Sequence, residues 1–131
     1  MKSILDEKRI NRLPIHDAML LSFVFKQSAT GGTCLIFDIS ITDNSYECGF
    51  AIPKNRGLTK LVFYNCRWFK NEFFCDAKNR DSFFSLELKK KSKKINELQS
   101  RGMQFNSFHY ELKFNSGSKF SIVAEQVYLE S

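Results

Sequence analysis

The segment from Phe108 to Glu130, FHYELKFNSGSKFSIVAEQVYLE, constrains the fold more than any other part of the chain. Phe108, Tyr110, Leu112 and Phe114 alternate with His109, Glu111 and Lys113. After Asn115-Ser116-Gly117-Ser118, Phe120, Ile122 and Ala124 resume the same period of two. Successive side chains of a strand point to opposite faces, so the pattern specifies two strands joined by a tight turn. A hairpin alone is marginal in water, so the apolar face must be covered by other elements.

The preceding residues supply those elements. Residues 17–26 are apolar at nearly every position, which predicts a strand covered on both faces. SATGG follows as a turn. Leu35, Phe37, Ile39 and Ile41 alternate with Ile36, Asp38 and Ser40, and Tyr46, Cys48, Phe50 and Ile52 alternate with Glu47, Gly49 and Ala51. Pro53 ends the strand at 46–52, and residues 59–68 read as another. Residues 69–81 show no clean period and read as mostly irregular. Phe84, Leu86 and Leu88 mark a further strand. KKKSKKINELQSRG then favours a helix, with Ile95 and Leu98 on one face and Gly102 placed to end it. Residues 1–12 fit one or two helical turns, with Ile4, Leu5 and Ile10 toward the body, and Pro14 closes the segment. The fold class expected is α+β, mainly antiparallel β. About seven strands curl into a sandwich or half-barrel, with one helix in the C-terminal half and a single domain over 1–131.

At 131 residues the chain can bury a core without a metal or disulfide to hold it. Fourteen of its residues are Phe, which leans the composition toward pleated, half-buried surfaces. The N-terminal MKSILDEKRINR is charged, and no stretch has the length and hydropathy of a membrane-spanning helix. Cys34, Cys48, Cys66 and Cys75 form no CxxC pair, so they read as reduced thiols in the cytosol.

Two polar residues, His16 and Asp17, sit at the head of the apolar run LPIHDAMLLSFVF. A catalytic reading makes His16 a general base oriented by the carboxylate. Neighbours within a strand face opposite ways, however, so the pair converges only inside a turn. The structural reading has Asp17 accepting backbone N–H bonds while His16 bonds a carbonyl. It predicts that Asp17→Ala loses stability instead of a reaction. No glycine-rich phosphate loop, no GxSxG elbow and no metal-ligand spacing occurs, so neither an enzyme nor a cofactor is expected.

The net charge of +6 favours acidic partners, and Lys89, Lys90, Lys91, Lys93 and Lys94 concentrate it. On a helix spanning 89–101, Lys90, Lys94 and Arg101 would share one side, interrupted by Glu97. Such a helix can lie along a phosphate backbone, the nucleic-acid alternative. The ordinary reading is a solvated helix face. Arg67, Trp68, Phe69 and Lys70 combine the residue types of protein–protein hot spots, and their ordinary reading is core filler between sheet and helix. The expected partner contacts are therefore Arg67, Trp68, Phe69 and Lys70, with Lys90 and Lys94 on a charged rim.

IHDAMLLSFVF, a glycine turn, TCLIFDISI and the closing FHYELKFNSGSKFSIVAEQVYLE together resemble a group of small bacterial proteins. These begin with a Leu/Ile-His-Asp-Ser/Ala strand entry and end in a similar hairpin. Some are like immunity proteins of polymorphic-toxin systems, including the immunity protein 50 type. The resemblance carries over to Ile15, His16, Asp17 and Ala18 and assigns them no catalytic role. It implies a mainly β, non-enzymatic protein that binds another protein, such as a toxin domain. The basic charge here departs from the acidic character common among inhibitors of nucleases, and it implies an acidic or largely apolar target surface.

Overall fold

A computed structural model describes residues 2–11, 18–27, 32–40, 58–72, 83–102 and 106–130. In chain order the elements are β1 (Lys2–Ile4), α1 (Glu7–Asn11), β2 (Met19–Gln27), β3 (Thr33–Ser40), β4 (Leu58–Glu72), β5 (Phe83–Lys89), α2 (Lys93–Ser100), β6 (Phe108–Phe114) and β7 (Lys119–Glu130). All seven strands belong to one antiparallel sheet in the order β2-β3-β4-β7-β6-β5, with β1 also paired to β7.

The closing hairpin forms where the alternation requires it. Phe114 N–H donates to Ser118 O at 3.0 Å and Gly117 N–H to Phe114 O at 3.1 Å. Gly117 has φ +93°, a left-handed conformation in which a Cβ is costly. β7 is then paired on both edges. β4 runs along one edge from Lys60↔Glu130 to Glu72↔Lys119. The other edge is shared by β6, from Phe108↔Ala124 to Lys113↔Lys119, and by β1, from Lys2↔Glu130 to Ile4↔Tyr128.

The sheet curls but does not close into a barrel, since β2 and β5 end the strand order among the described residues. Phe23 of β2 meets Phe120 of β7 with ring centroids 5.2 Å apart, although two strands lie between them. Phe37 meets Phe120 at 5.0 Å, and Phe63 meets Tyr110 at 5.5 Å across β7. The concave face therefore holds the core, with Phe37, Phe63 and Phe120 fully buried. Each such ring contributes roughly 2–3 kcal/mol in transfer from water. Irregularities at Leu20/Ser22, Cys66/Trp68 and Phe83/Ser85 supply local bends. No helix among the described residues is long and apolar enough to cross a membrane.

Several expectations are corrected. Residues 2–4 form a strand where a helical turn was expected, because β7 offers them an edge; α1 begins only after Asp6, whose carboxylate accepts from Arg9 N–H at 2.8 Å. Residues 69–72 are not irregular but extend β4, since Phe69↔Ile122 and Glu72↔Lys119 pair along the length of β7. β2 is not covered on both faces, as described below. α2 starts at Lys93, with Lys89 in β5, so the lysine tract is only partly helical. The strand expected at 46–52, and His16 and Asp17, lie outside the described residues.

Candidate functional site

On the convex face, one row of side chains crosses the sheet from Trp68 through Val123 and His109 to Lys89, each opposite the next in register. The bulge at Arg67 sets this row, shifting β4 by one residue so that Trp68 points outward and Phe69 inward. α2 is seated over the row. Ser92 caps the helix by accepting from Ile95 N–H at 3.1 Å, and its Oγ lies 2.6 Å from His109 Nδ1. The Lys94 ammonium sits 4.6 Å over the centre of the Trp68 ring, and the Trp68 and His109 rings lie nearly perpendicular with centroids 6.2 Å apart. Lys94 also reaches Glu97 at 3.5 Å, and Arg101 reaches Glu97 at 3.0 Å.

His109 is buried, with its Nε2 lacking a hydrogen-bond partner among the described residues. Burial, then Lys89, then Lys119 lower its pKa against the opposing pull of Glu111, so the ring is neutral at pH 7. Burial raises the Glu111 carboxyl, but Lys89, Lys119 and Lys113 outweigh it and hold the group below its ordinary range. Glu111 is met by Lys89 at 3.1 Å and by Lys119 at 3.8 Å, which offsets the placement of Glu87 directly opposite it. The Ser92–His109 contact has the distance of a nucleophile–base pair. The Ser92 oxygen is engaged as a helix cap, however, and nothing among the described residues orients Nε2 as a third member would. Burial pushes the Cys66 thiol up to about 11, which keeps it protonated and unreactive. No group of three potential metal ligands occurs among the described residues.

The six residues expected to form a partner contact are divided by this geometry. Trp68 and Lys94 meet, but each covers the other. Arg67 and Lys70 flank them, exposed, with Lys70 3.9 Å from Glu72. Phe69 lies on the concave side against the core and stacks near Phe25 at 5.3 Å. Lys90 sits off the helix and pairs with Glu7 of α1 at 2.9 Å. Ser92 and His109 were missed as a pair: a serine beginning a helical pattern and a histidine in an alternating strand each look ordinary, and only the tertiary fold joins them.

A second surface was also missed. β2 carries Leu21, Val24 and Phe25 with 38%, 49% and 47% of their surface exposed, in a strand whose only described cation is Lys26. The exposed side chains alternate between both faces of this last strand in the order, so no single flank shields them. A cavity of about 370 Å³ around the end of β3 joins Leu21, Ile39 and Leu58 to a polar rim that includes Asp38, Lys60 and Glu130. Compared with protein-family models, curated proteins and solved structures, the chain matches none.

Proposed function

We propose that the chain is a non-enzymatic protein-binding module of the bacterial cytosol, an immunity-like inhibitor that neutralises a toxin domain by surface complementarity. The observation that carries this reading is the apolar strand β2, an edge of the sheet among the described residues. Monomeric proteins blunt such edges with charges, prolines, bulges or a covering element, and a long apolar edge offers a partner main-chain hydrogen bonds together with side-chain pockets. Leu21, Val24 and Phe25 supply the apolar contacts, and the cavity near Leu58 extends them. The free thiols of Cys34 and Cys66 are consistent with a reducing compartment.

The nucleic-acid alternative draws on the charge of +6. Three of the five clustered lysines are engaged by carboxylates: Lys89 by Glu111, Lys90 by Glu7 and Lys94 by Glu97. A backbone track needs several cations available at once, so the binding-module reading is favoured.

The test is capture by the tagged full-length chain from the bacterium that encodes it, with and without nuclease, beside a Phe25→Lys variant. A stoichiometric protein retained after nuclease and lost from the variant supports the proposal. Retention that collapses with nuclease transfers the function to the lysine tract, and equal retention by the variant removes β2 as the contact.

A further inference from the structure

An open groove of about 880 Å³ lies between the C-terminal end of β5, α1 and α2, and no residue expected from the sequence to bind a partner explains it except Lys90. Its charge is lopsided. Lys89, Lys90, Lys91 and Lys93 line it against a single carboxylate, Glu7. Two of those lysines are already paired, Lys89 with Glu111 and Lys90 with Glu7. Lys91 and Lys93 are exposed and form no ion pair among the described residues. The remaining lining joins an apolar part, made of Leu88, the half-buried Ile95 and Phe108, which keeps 47% of its surface exposed, to the uncharged polar residues Ser92, Asn96, Gln99 and Ser107. The Ser107 hydroxyl in the same groove is shielded from solvent and has no hydrogen-bond partner among the described residues, an arrangement that costs free energy until something supplies one.

We infer that this groove receives an acidic segment of a protein partner, with carboxylates on Lys91 and Lys93 and one apolar side chain packed between Ile95 and Phe108. The inference rests on the binding-module reading and adds a second contact, remote in strand order from β2, that selects for charge. A peptide fits better than a phosphate backbone for two reasons. Two available cations neutralise too few phosphates to track a strand, and a carboxylate at Glu7 repels a continuous anion but tolerates spaced acidic side chains. The apolar wall supplies a pocket for an anchor residue, which is where the energy of such contacts concentrates.

The measurement is fluorescence anisotropy of a labelled peptide of glutamates with two central leucines, beside a lysine-for-glutamate counterpart and an oligothymidylate. The proteins are the full chain, Lys91→Glu/Lys93→Glu and Phe108→Ala; the lysines are exposed, so the double variant keeps its fold, which circular dichroism verifies. The expected result is selective binding of the acidic peptide. It weakens about tenfold in the double variant, the size expected for two exposed ion pairs, and weakens again in Phe108→Ala. Binding that ignores both substitutions, or no binding of the acidic peptide to the wild type, overturns the inference. Preference for oligothymidylate that the double variant abolishes also overturns it and makes the groove a nucleic-acid site. If the captured partner is retained by the double variant and lost from Phe25→Lys, the groove assignment fails while the binding-module reading stands. If nothing but nucleic acid is captured, both fail.

Discussion

β7 and β2 carry comparable apolar content in opposite circumstances. β7 is hydrogen-bonded along both edges, and Phe120, Ile122, Val123, Ala124 and Val127 are completely buried. β2 is paired to β3 and ends the order of described strands, with Leu21, Val24 and Phe25 each keeping between a third and a half of their surface exposed. The first strand spends its apolar side chains on folding and the second leaves them available. The difference teaches where stability and function divide in this sheet: the spine is replaceable only at a large cost to the fold, while the half-exposed side chains of the edge can change at a smaller one.

The largest effect that sharpens the contrast is at Phe120, whose ring touches those of Phe23, Phe37 and Phe114. Phe120→Ala is expected to cost about 3–5 kcal/mol in urea unfolding, whereas Phe25→Ala costs about 1 kcal/mol. Equal losses would break the division, placing β2 within the structural core.

The α2 seat lies between these extremes, and its effects are smaller. Ser92→Ala removes the helix cap and the contact to His109, with an expected loss of about 1 kcal/mol. A Ser92→Asp variant restores the cap acceptor and recovers part of that loss, which a mere packing defect would not allow.

The pH response follows from His109 and Glu111. The folded pKa of His109 lies below its unfolded value, so protonation favours the unfolded chain. The stability from the neutral ring is complete above the unfolded pKa of about 6.5 and declines as pH falls through the folded value. Glu111, also lowered, adds a loss in the same direction at more acidic pH. Unfolding at pH 7 and pH 5 should therefore show a drop that His109→Gln reduces; an undiminished drop would move the response to other groups.

Lys94→Ala is the smallest perturbation, about 0.5 kcal/mol for a cation resting on a half-exposed ring. The chain has one tryptophan, so Trp68 emission reports the change directly. Unaltered emission would mean that α2 does not hold Lys94 over the indole in solution.

The family of arrangements available to this chain was readable from particular residues. The alternation from Phe108 to Phe114 and again from Phe120 to Ala124 defined a hairpin, and the structure forms it with Gly117 in the turn. Leu5 and Ile10 were legible as inward-facing and both are buried, whereas Ile4, expected to face the same way, keeps 52% of its surface exposed. The run from Met19 to Phe25 was not legible as an edge, because a continuous apolar stretch looks the same whether two neighbours cover it or one. Phe69 through Glu72 lacked a period of their own, and the long edge of β7 drew them into the sheet.

The candidate surfaces were less legible than the fold. Trp68 and Lys94 were chosen for their chemistry, but a one-residue bulge decided that Trp68 turns outward under α2 while Phe69 turns inward. His109 and Ser92 stand 17 residues apart in sequence and 2.6 Å apart in space.

By itself the sequence determined the class of structure, because period-two alternation and turn residues act over a few positions and need no partner to be recognised. Which strand ends the sheet, which lysines keep their charge available, and which aromatic rings face solvent were decided by tertiary structure alone. Those properties depend on neighbours brought together from distant parts of the chain, and the energy of a side chain is set by what it touches.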